Sequence, residues 1–284
     1  MSEILNLKKF SFLVYGLGLT GCSVIKYFKK NKIVNYCVWD DNIKLKKSYQ
    51  NKAVINLSKS LAEVDFIILS PGISLKKTKY KKNLIAYKKK IITDIDLLYL
   101  SNANLKSVVV TGSNGKSTVC KIISHLLKKN KFGVKLGGNI GTPVLSLNNK
   151  KNNFFIIEAS SFQLSHSQFI KPNYAILLNI TNDHLDWHGS MQEYIKSKLK
   201  IFNFQEKNDF ALINKKFDNK FKKNKYLGKL ISLKLNEYKK VKSQIRNDYL
   251  KSKINDENMK FVYTFSNLLK ISNKSFIKSM NTFE

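Results

Sequence analysis

The residues Gly112-Ser113-Asn114-Gly115-Lys116-Ser117-Thr118 follow an apolar run, Val108–Thr111, and precede a helix-like stretch. A glycine-rich turn in that setting turns backbone N–H groups inward and cradles phosphates. Lys116 would reach the β- and γ-phosphates, and the Ser117 hydroxyl would ligate Mg²⁺. The spacing G-x-x-G-K-S is two residues shorter than the general phosphate loop, so a glycine-lysine turn without function is the plainer alternative. A second loop, Gly16-Leu17-Gly18-Leu19-Thr20-Gly21, fits G-x-G-x-x-G after a strand and before a helix. There a diphosphate can approach a helix N-terminus closely. Asp40, nineteen residues past Gly21, stands where a ribose-binding acid would sit. This loop leaves NAD and a UDP-sugar both open, and NAD would make the protein an oxidoreductase.

Two further stretches carry titratable groups. Glu158 ends the run FFIIE, at the strand end where open α/β sheets bind ligands, and a carboxylate there would hold Mg²⁺. Asn179–Gly189 (NITNDHLDWHG) places Asp183, His184, Asp186 and His188 within six residues. Hard oxygens with one imidazole and no cysteine suit Mg²⁺ or Mn²⁺ better than zinc. Asp186 and His188 are expected to be ordinary surface-loop residues. Lys198, on the lysine-bearing helix YIKSKLKIF, is expected on a solvated face.

The elements that must position these groups alternate strand and helix. Strands are expected at Ser11–Gly16, Val34–Asp40 and Phe66–Ser70, with a helix over Cys22–Lys30. A second series has strands at Val108–Thr111, Phe154–Ile157, Ala175–Ile180 and Phe210–Ile213. Its helices are Lys116–Lys129, Met191–Phe202, Asn258–Leu269 and Lys274–Phe283. Fully apolar strands alternating with helices indicate parallel sheets covered on both faces. The expected fold class is therefore α/β: a Rossmann-like parallel-sheet domain over residues 1–103, then a P-loop-type α/β ATPase domain over 104–284. The boundary is placed near Ser101–Lys106. Residues 215–253 are lysine-rich and give no clear pattern.

Composition excludes several classes. The 284 residues are 43% hydrophobic and 25% charged, a globular balance rather than a disordered one. No run of eighteen apolar residues and no secretory signal are found, so a cytoplasmic protein without a membrane partner is expected. Three separated cysteines make neither a disulfide framework nor a metal knuckle. The net charge of +32 comes from 50 lysines and one arginine, Arg246, scattered along the chain. Nucleic-acid readers rely on arginine's planar fork, so a nucleic-acid partner is not expected.

Together these stretches resemble the Mur ligases, ATP-dependent amide-forming enzymes of peptidoglycan precursor synthesis. TGSNGKST is similar to that family's phosphate loop. GLGLTG, GGNIG (Gly137–Gly141), EASSFQL (Glu158–Leu164), NITNDHLDWHG and YIKSKLKIF resemble its D-glutamate-adding members. The resemblance implies that Gly18, Leu19 and Thr20 hold a UDP-sugar diphosphate, with Asp40 and Asp41 near the uridine and Ser70 and Gly72 lining the same site. It implies that Gly112, Ser113, Asn114, Gly115, Lys116, Ser117 and Thr118 bind ATP, with Asn255 and Asn258 contacting the nucleotide. Ser117 and Glu158 would share one Mg²⁺ and His184 a second. Lys198 matches a lysine that the family carbamylates to support a metal, and Asn139 would contact the reacting groups. Lys116, Asn139, His184 and Lys198 form the implied catalytic set.

The implied partners are UDP-N-acetylmuramoyl-L-alanine, D-glutamate and ATP, joined through an acyl phosphate by a monomer. The family's third domain supplies D-glutamate contacts and would begin about where this sequence stops, at Glu284. The expectation is a chain that binds the UDP-substrate and ATP but forms little amide alone. A non-catalytic remnant that only binds nucleotides is the alternative.

Overall fold

The computed structural model describes residues 6–102, 104–147 and 153–284. Short β-branched and aromatic runs form ten strands among these residues. They are β1 (Phe12–Tyr15), β2 (Tyr36–Trp39), β3 (Phe66–Leu69), β4 (Ile91–Ile92), β5 (Ser107–Thr111), β6 (Gly133–Gly138), β7 (Asn153–Glu158), β8 (Tyr174–Leu177), β9 (Phe210–Ile213) and β10 (Lys229–Ile231). The helices in the first lobe are α1 (Leu19–Lys30), α2 (Ile43–Lys47), α3 (Leu57–Glu63), α4 (Lys81–Ala86) and α5 (Asp94–Leu100). The second lobe adds α6 (Lys116–Lys129), α7 (Ser161–His166), α8 (Leu185–His188), α9 (Met191–Leu199), α10 (Asp218–Lys223), α11 (Leu235–Lys242), α12 (Asp248–Lys251), α13 (Asp256–Leu268) and α14 (Asn273–Met280).

Two sheets result, in the orders β2-β1-β3-β4 and β10-β9-β8-β5-β7-β6. Every pairing is parallel. The α/β class expected from sequence is the class observed. In each sheet the chain order reverses beside one central strand, β1 in the first and β5 in the second. Ligands in open α/β sheets bind at that switch point, beyond the carboxyl ends of the strands. Both glycine loops follow those central strands.

Helix α6 shows how the sequence enforces this. Its Val119, Cys120, Ile122, Ile123, Leu126 and Leu127 are buried at helical spacing against the sheet, while Lys128 and Lys129 close its last turn. The 215–253 stretch resolves into α10, β10, α11 and α12, with β10 continuing the sheet beside β9. The strands not foreseen have two causes: β4 and β10 are only two and three residues long, and β6 (GVKLGG) carries three glycines.

One apolar cluster runs through both lobes, from Phe12, Val14 and Ile68 by way of Ile95, Leu97 and Val144 to Ile157 and Leu164. A polar joint accompanies it. The buried Asp96 carboxylate caps its own helix through Thr93 and accepts from Ser167 Oγ (2.6 Å) and from the N–H groups of Gln168 (3.0 Å) and Phe169 (2.7 Å). Burial raises this carboxyl above its ordinary value, and the hydrogen bonds it accepts offset only part of that cost.

Candidate functional site

The phosphate-type loop begins where β5 ends. Gly115 is left-handed at φ +84°, and a Cβ there would collide with the Asn258 side chain at the start of α13. Only glycine relieves both constraints. Ser113 N–H donates to the Asn179 carbonyl (2.9 Å) and Asn114 N–H to Asn179 Oδ1 (2.9 Å). Those two amides are therefore tied to the segment after β8 rather than turned inward, a correction to the sequence expectation. The free donors are in the first turn of α6, which begins at Lys116, where N–H groups lack intrahelical acceptors and the helix dipole favours an anion. Ser117 and Thr118 lie in that turn.

Around the turn, side chains from three strand ends converge. Ser117 Oγ donates to Glu158 Oε2 at 2.7 Å, and Asn139 Nδ2 donates to Glu158 Oε1 at 2.8 Å. Glu158 is buried at the end of β7. A serine hydroxyl and a carboxylate at that separation are hard oxygen donors and suit Mg²⁺. Lys116 Nζ folds back onto the carbonyls of Gly112 (2.9 Å) and Ser113 (2.7 Å). Burial lowers its pKa from the ordinary value.

Lys198 overturns the expectation of a solvated face. It is 1% exposed, its Nζ donates to the same Gly112 carbonyl at 2.7 Å, and it lies 4.6 Å from the Tyr194 ring centroid. Burial, and next the Lys116 ammonium, pull it down to about 7. A substantial fraction is then an uncharged amine near neutral pH. Tyr194, the first residue of YIKSKLKIF, bonds its hydroxyl to Ser113 Oγ at 2.9 Å and so ties α9 to the loop. Asn179 and Tyr194 open the NITNDHLDWHG and YIKSKLKIF stretches, but the pattern gives neither a role; only the fold brings them to the loop.

The NITNDHLDWHG loop does not close into one metal cluster. Among the described residues no three His, Cys, Asp or Glu side chains gather as a metal site. His184 pairs with Asp183 at 3.3 Å, while Asp186 points away to Lys77 at 3.0 Å. His188 is buried and bonded to Ser161 Oγ at 2.9 Å, which corrects its expected place on the surface. The loop's fold turns that side chain inward beneath Trp187. Asn255 and Asn258 are buried and bonded to one another at 3.1 Å, beside Gly115.

In the first lobe Gly16 sits at φ +98°, and Ser70 Oγ donates to its carbonyl at 2.9 Å. A Cβ on Gly21 would strike the Gly16 carbonyl, so α1 can approach β1 only with glycine there. Gly18 has open space, and Leu19 beside it is 86% exposed, with Thr20 next in α1. Gly72 follows β3 and is exposed. Asp40 accepts from the N–H groups of Leu17 (2.6 Å) and Asn42 (2.7 Å), so it braces the glycine loop. Asp41 accepts from Tyr15 Oη (3.1 Å) and Trp39 Nε1 (3.0 Å). Among the described residues no helix is long and apolar enough to cross a membrane.

The Mur ligase middle domain matches residues 110–277, and the Mur ligase MurD-like N-terminal domain matches residues 10–93. The UDP-N-acetylmuramoylalanine–D-glutamate ligase of Rickettsia felis is 41% identical over 210 residues, 71% of this chain and 45% of that protein. Its namesake in Buchnera aphidicola subsp. Schizaphis graminum is 38% identical over 203 residues, 67% of this chain and 44% of that protein. The chain thus spans less than half the length of these relatives. A solved UDP-N-acetylmuramate:L-alanyl-gamma-D-glutamyl-meso-diaminopimelate ligase from Neisseria meningitides shares the fold at a TM-score of 0.58 and 12% identity, covering 97% of this chain and 98% of that one. UDP-N-acetylmuramate-alanine ligase from Thermotoga maritima does so at 0.50 and 15%, covering 96% and 68%. The NAD-oxidoreductase alternative finds no support in these matches. With a middle-domain match over more than half its length, the chain belongs to the Mur ligase family.

Proposed function

We propose that this chain is the UDP-substrate- and ATP-binding part of a ligase that adds D-glutamate to UDP-N-acetylmuramoyl-L-alanine in peptidoglycan precursor synthesis. The observation that carries this is the convergence of Lys116, Ser117, Glu158, Asn139 and Lys198 on one phosphate-type turn. The named relatives supply the substrate classes. Residues 1–103 would hold the UDP-sugar and 104–284 the ATP. Gly18, Leu19 and Thr20 would meet the diphosphate at the start of α1. Asp40 would shape that loop, Asp41 would stand near the uridine, and Ser70 and Gly72 would line the turn.

The terminal carboxylate of the UDP-substrate attacks the γ-phosphorus of ATP, ADP leaves, and an acyl phosphate forms. The D-glutamate amine then attacks the acyl carbon, phosphate leaves, and the amide forms with loss of a proton. Lys116 swings from the Gly112 and Ser113 carbonyls to the phosphate oxygens and offsets their charge. Ser113, Asn114, Gly115 and Thr118 shape the turn, while Asn255 and Asn258 contact the nucleotide. Ser117 and Glu158 would hold a first Mg²⁺, with His184 and a carbamylated Lys198 serving a second. Bound Mg²⁺ supplies charge neutralisation on the phosphates. Asn139 holds the Glu158 carboxylate in place and faces the reacting groups.

The test is Lys116→Ala. ATP binding should fall at least tenfold while UDP-N-acetylmuramoyl-L-alanine still binds. Loss of both together would mean that the two sites are not divided between the lobes as proposed.

A further inference from the structure

The last but one residue of the NITNDHLDWHG loop is left unused by the proposed chemistry. His188 is 3% exposed. Its Nε2 lies 2.9 Å from the hydroxyl of Ser161, the first residue of α7 and part of the SSFQL stretch. Its ring stacks on Phe162 at 5.8 Å and an interplanar angle of 20°, and packs against Tyr194 at 5.1 Å. The backbone beside it is clasped from the first lobe. Lys76 Nζ donates to the His188 carbonyl, and Ser74 Oγ donates to the Trp187 carbonyl at 3.3 Å. Burial, and next the Lys198 ammonium, push the His188 imidazole down to about 4, so it is neutral at physiological pH.

The other end of α8 is His184. It caps the helix in the left-handed region at φ 52°, and its carbonyl accepts the N–H groups of Trp187 (3.1 Å) and His188 (3.0 Å). A four-residue helix has no stability of its own, and a left-handed histidine persists only when its surroundings over-determine it. Phe162 touches both ends, with its ring 4.7 Å from His184. The anchors on α8 therefore decide where the His184 ring stands.

We propose that His188 is a positioning residue for His184: its bond to Ser161 locks α8 onto α7 and so fixes the His184 imidazole beside Asp183 and Tyr194. The proposal rests on the function above only for what His184 then serves. It also gives the SSFQL stretch a mechanical role, since Ser161 and Phe162 are the surfaces that hold α8.

The four histidines make this readable by proton–carbon NMR of the imidazole rings in the metal-free chain. Wild type should show a cross-peak between His184 and the Phe162 ring. Ser161→Ala and His188→Leu should weaken that cross-peak at least twofold and move the His184 resonance. His125, bonded to Ser279 on the far helix pair, should not move. His188→Gln, whose amide can still reach Ser161, should restore the wild-type pattern. If His188→Leu does not fold, Ser161→Ala removes a single oxygen and decides the matter. An unchanged His184 resonance and cross-peak in Ser161→Ala overturns the proposal. Adding Mn²⁺ with ATP is a separate arm: no broadening of the wild-type His184 signal overturns its role at an ion, whereas the cross-peak result bears on positioning alone.

Discussion

Asp94 offers a quantitative test of how the two lobes are joined. It starts α5, is 2% exposed, and its Oδ1 has no hydrogen-bond partner among the described residues. The Ile95 N–H, the Gln163 carboxamide on α7 and its own N–H donate to the carboxyl, while the nearby Asp96 charge opposes its ionisation. Burial raises its carboxyl from 3.8 to about 6. The folded chain therefore keeps a proton there over a range in which the unfolded chain has lost it. The stability this contributes is fully present below the unfolded value and is lost as pH rises through the folded one. A shift of that size corresponds to about 3 kcal/mol. Asp94→Asn keeps an oxygen for the existing donors and cannot ionise. Urea unfolding should find the variant more stable than wild type by on the order of 3 kcal/mol at about pH 7.5, with the gain shrinking toward zero near about pH 3.5. A difference that is the same at both pH values, or a variant that is weaker at the higher one, would mean that Asp94 does not hold a proton in the folded chain.

Two further outcomes follow from the site. Gly115→Ala places a Cβ against Asn258 at a positive φ, so unfolding free energy should fall by about 2 kcal/mol and ATP affinity should fall with it. Unchanged stability in urea would contradict the assigned strain. The buried Lys198 amine should take up carbon dioxide, so ¹³C-bicarbonate should give wild type a carbamate resonance that Lys198→Ala lacks. No such signal in wild type would mean that Lys198 carries no carbamate.

Much of this architecture is legible in sequence because parallel strands buried on both faces leave unbroken apolar runs. VVVT, FFIIE and YAILL each announce a strand whose end carries a loop. The phosphate-type turn is legible for the same reason: its glycines, lysine and serine are contiguous. What escapes is whatever depends on burial set by distant elements. Lys198 reads as one of many lysines on a charged helix, yet α9 packs it inward under Gly112. His188 reads as a loop residue, yet α8 turns it beneath Trp187 toward Ser161. Asn179 opens the NITNDHLDWHG stretch, yet nothing local shows that it holds the phosphate-type turn, because its partners lie 65 residues away. Strand β6 is hidden by glycines, of which Gly137 and Gly138 are needed where the chain passes the Thr142 and Glu158 backbones.

The turn from Gly112 to Thr118 is proposed to grip the triphosphate of ATP. The decisive experiment is isothermal titration of ATP into the folded chain with Mg²⁺ in excess. One site per chain, lost in Lys116→Ala and weakened when Mg²⁺ is withheld, is the predicted result. A well-folded chain that takes up no adenine nucleotide under those conditions would mean that this turn is not a nucleotide site.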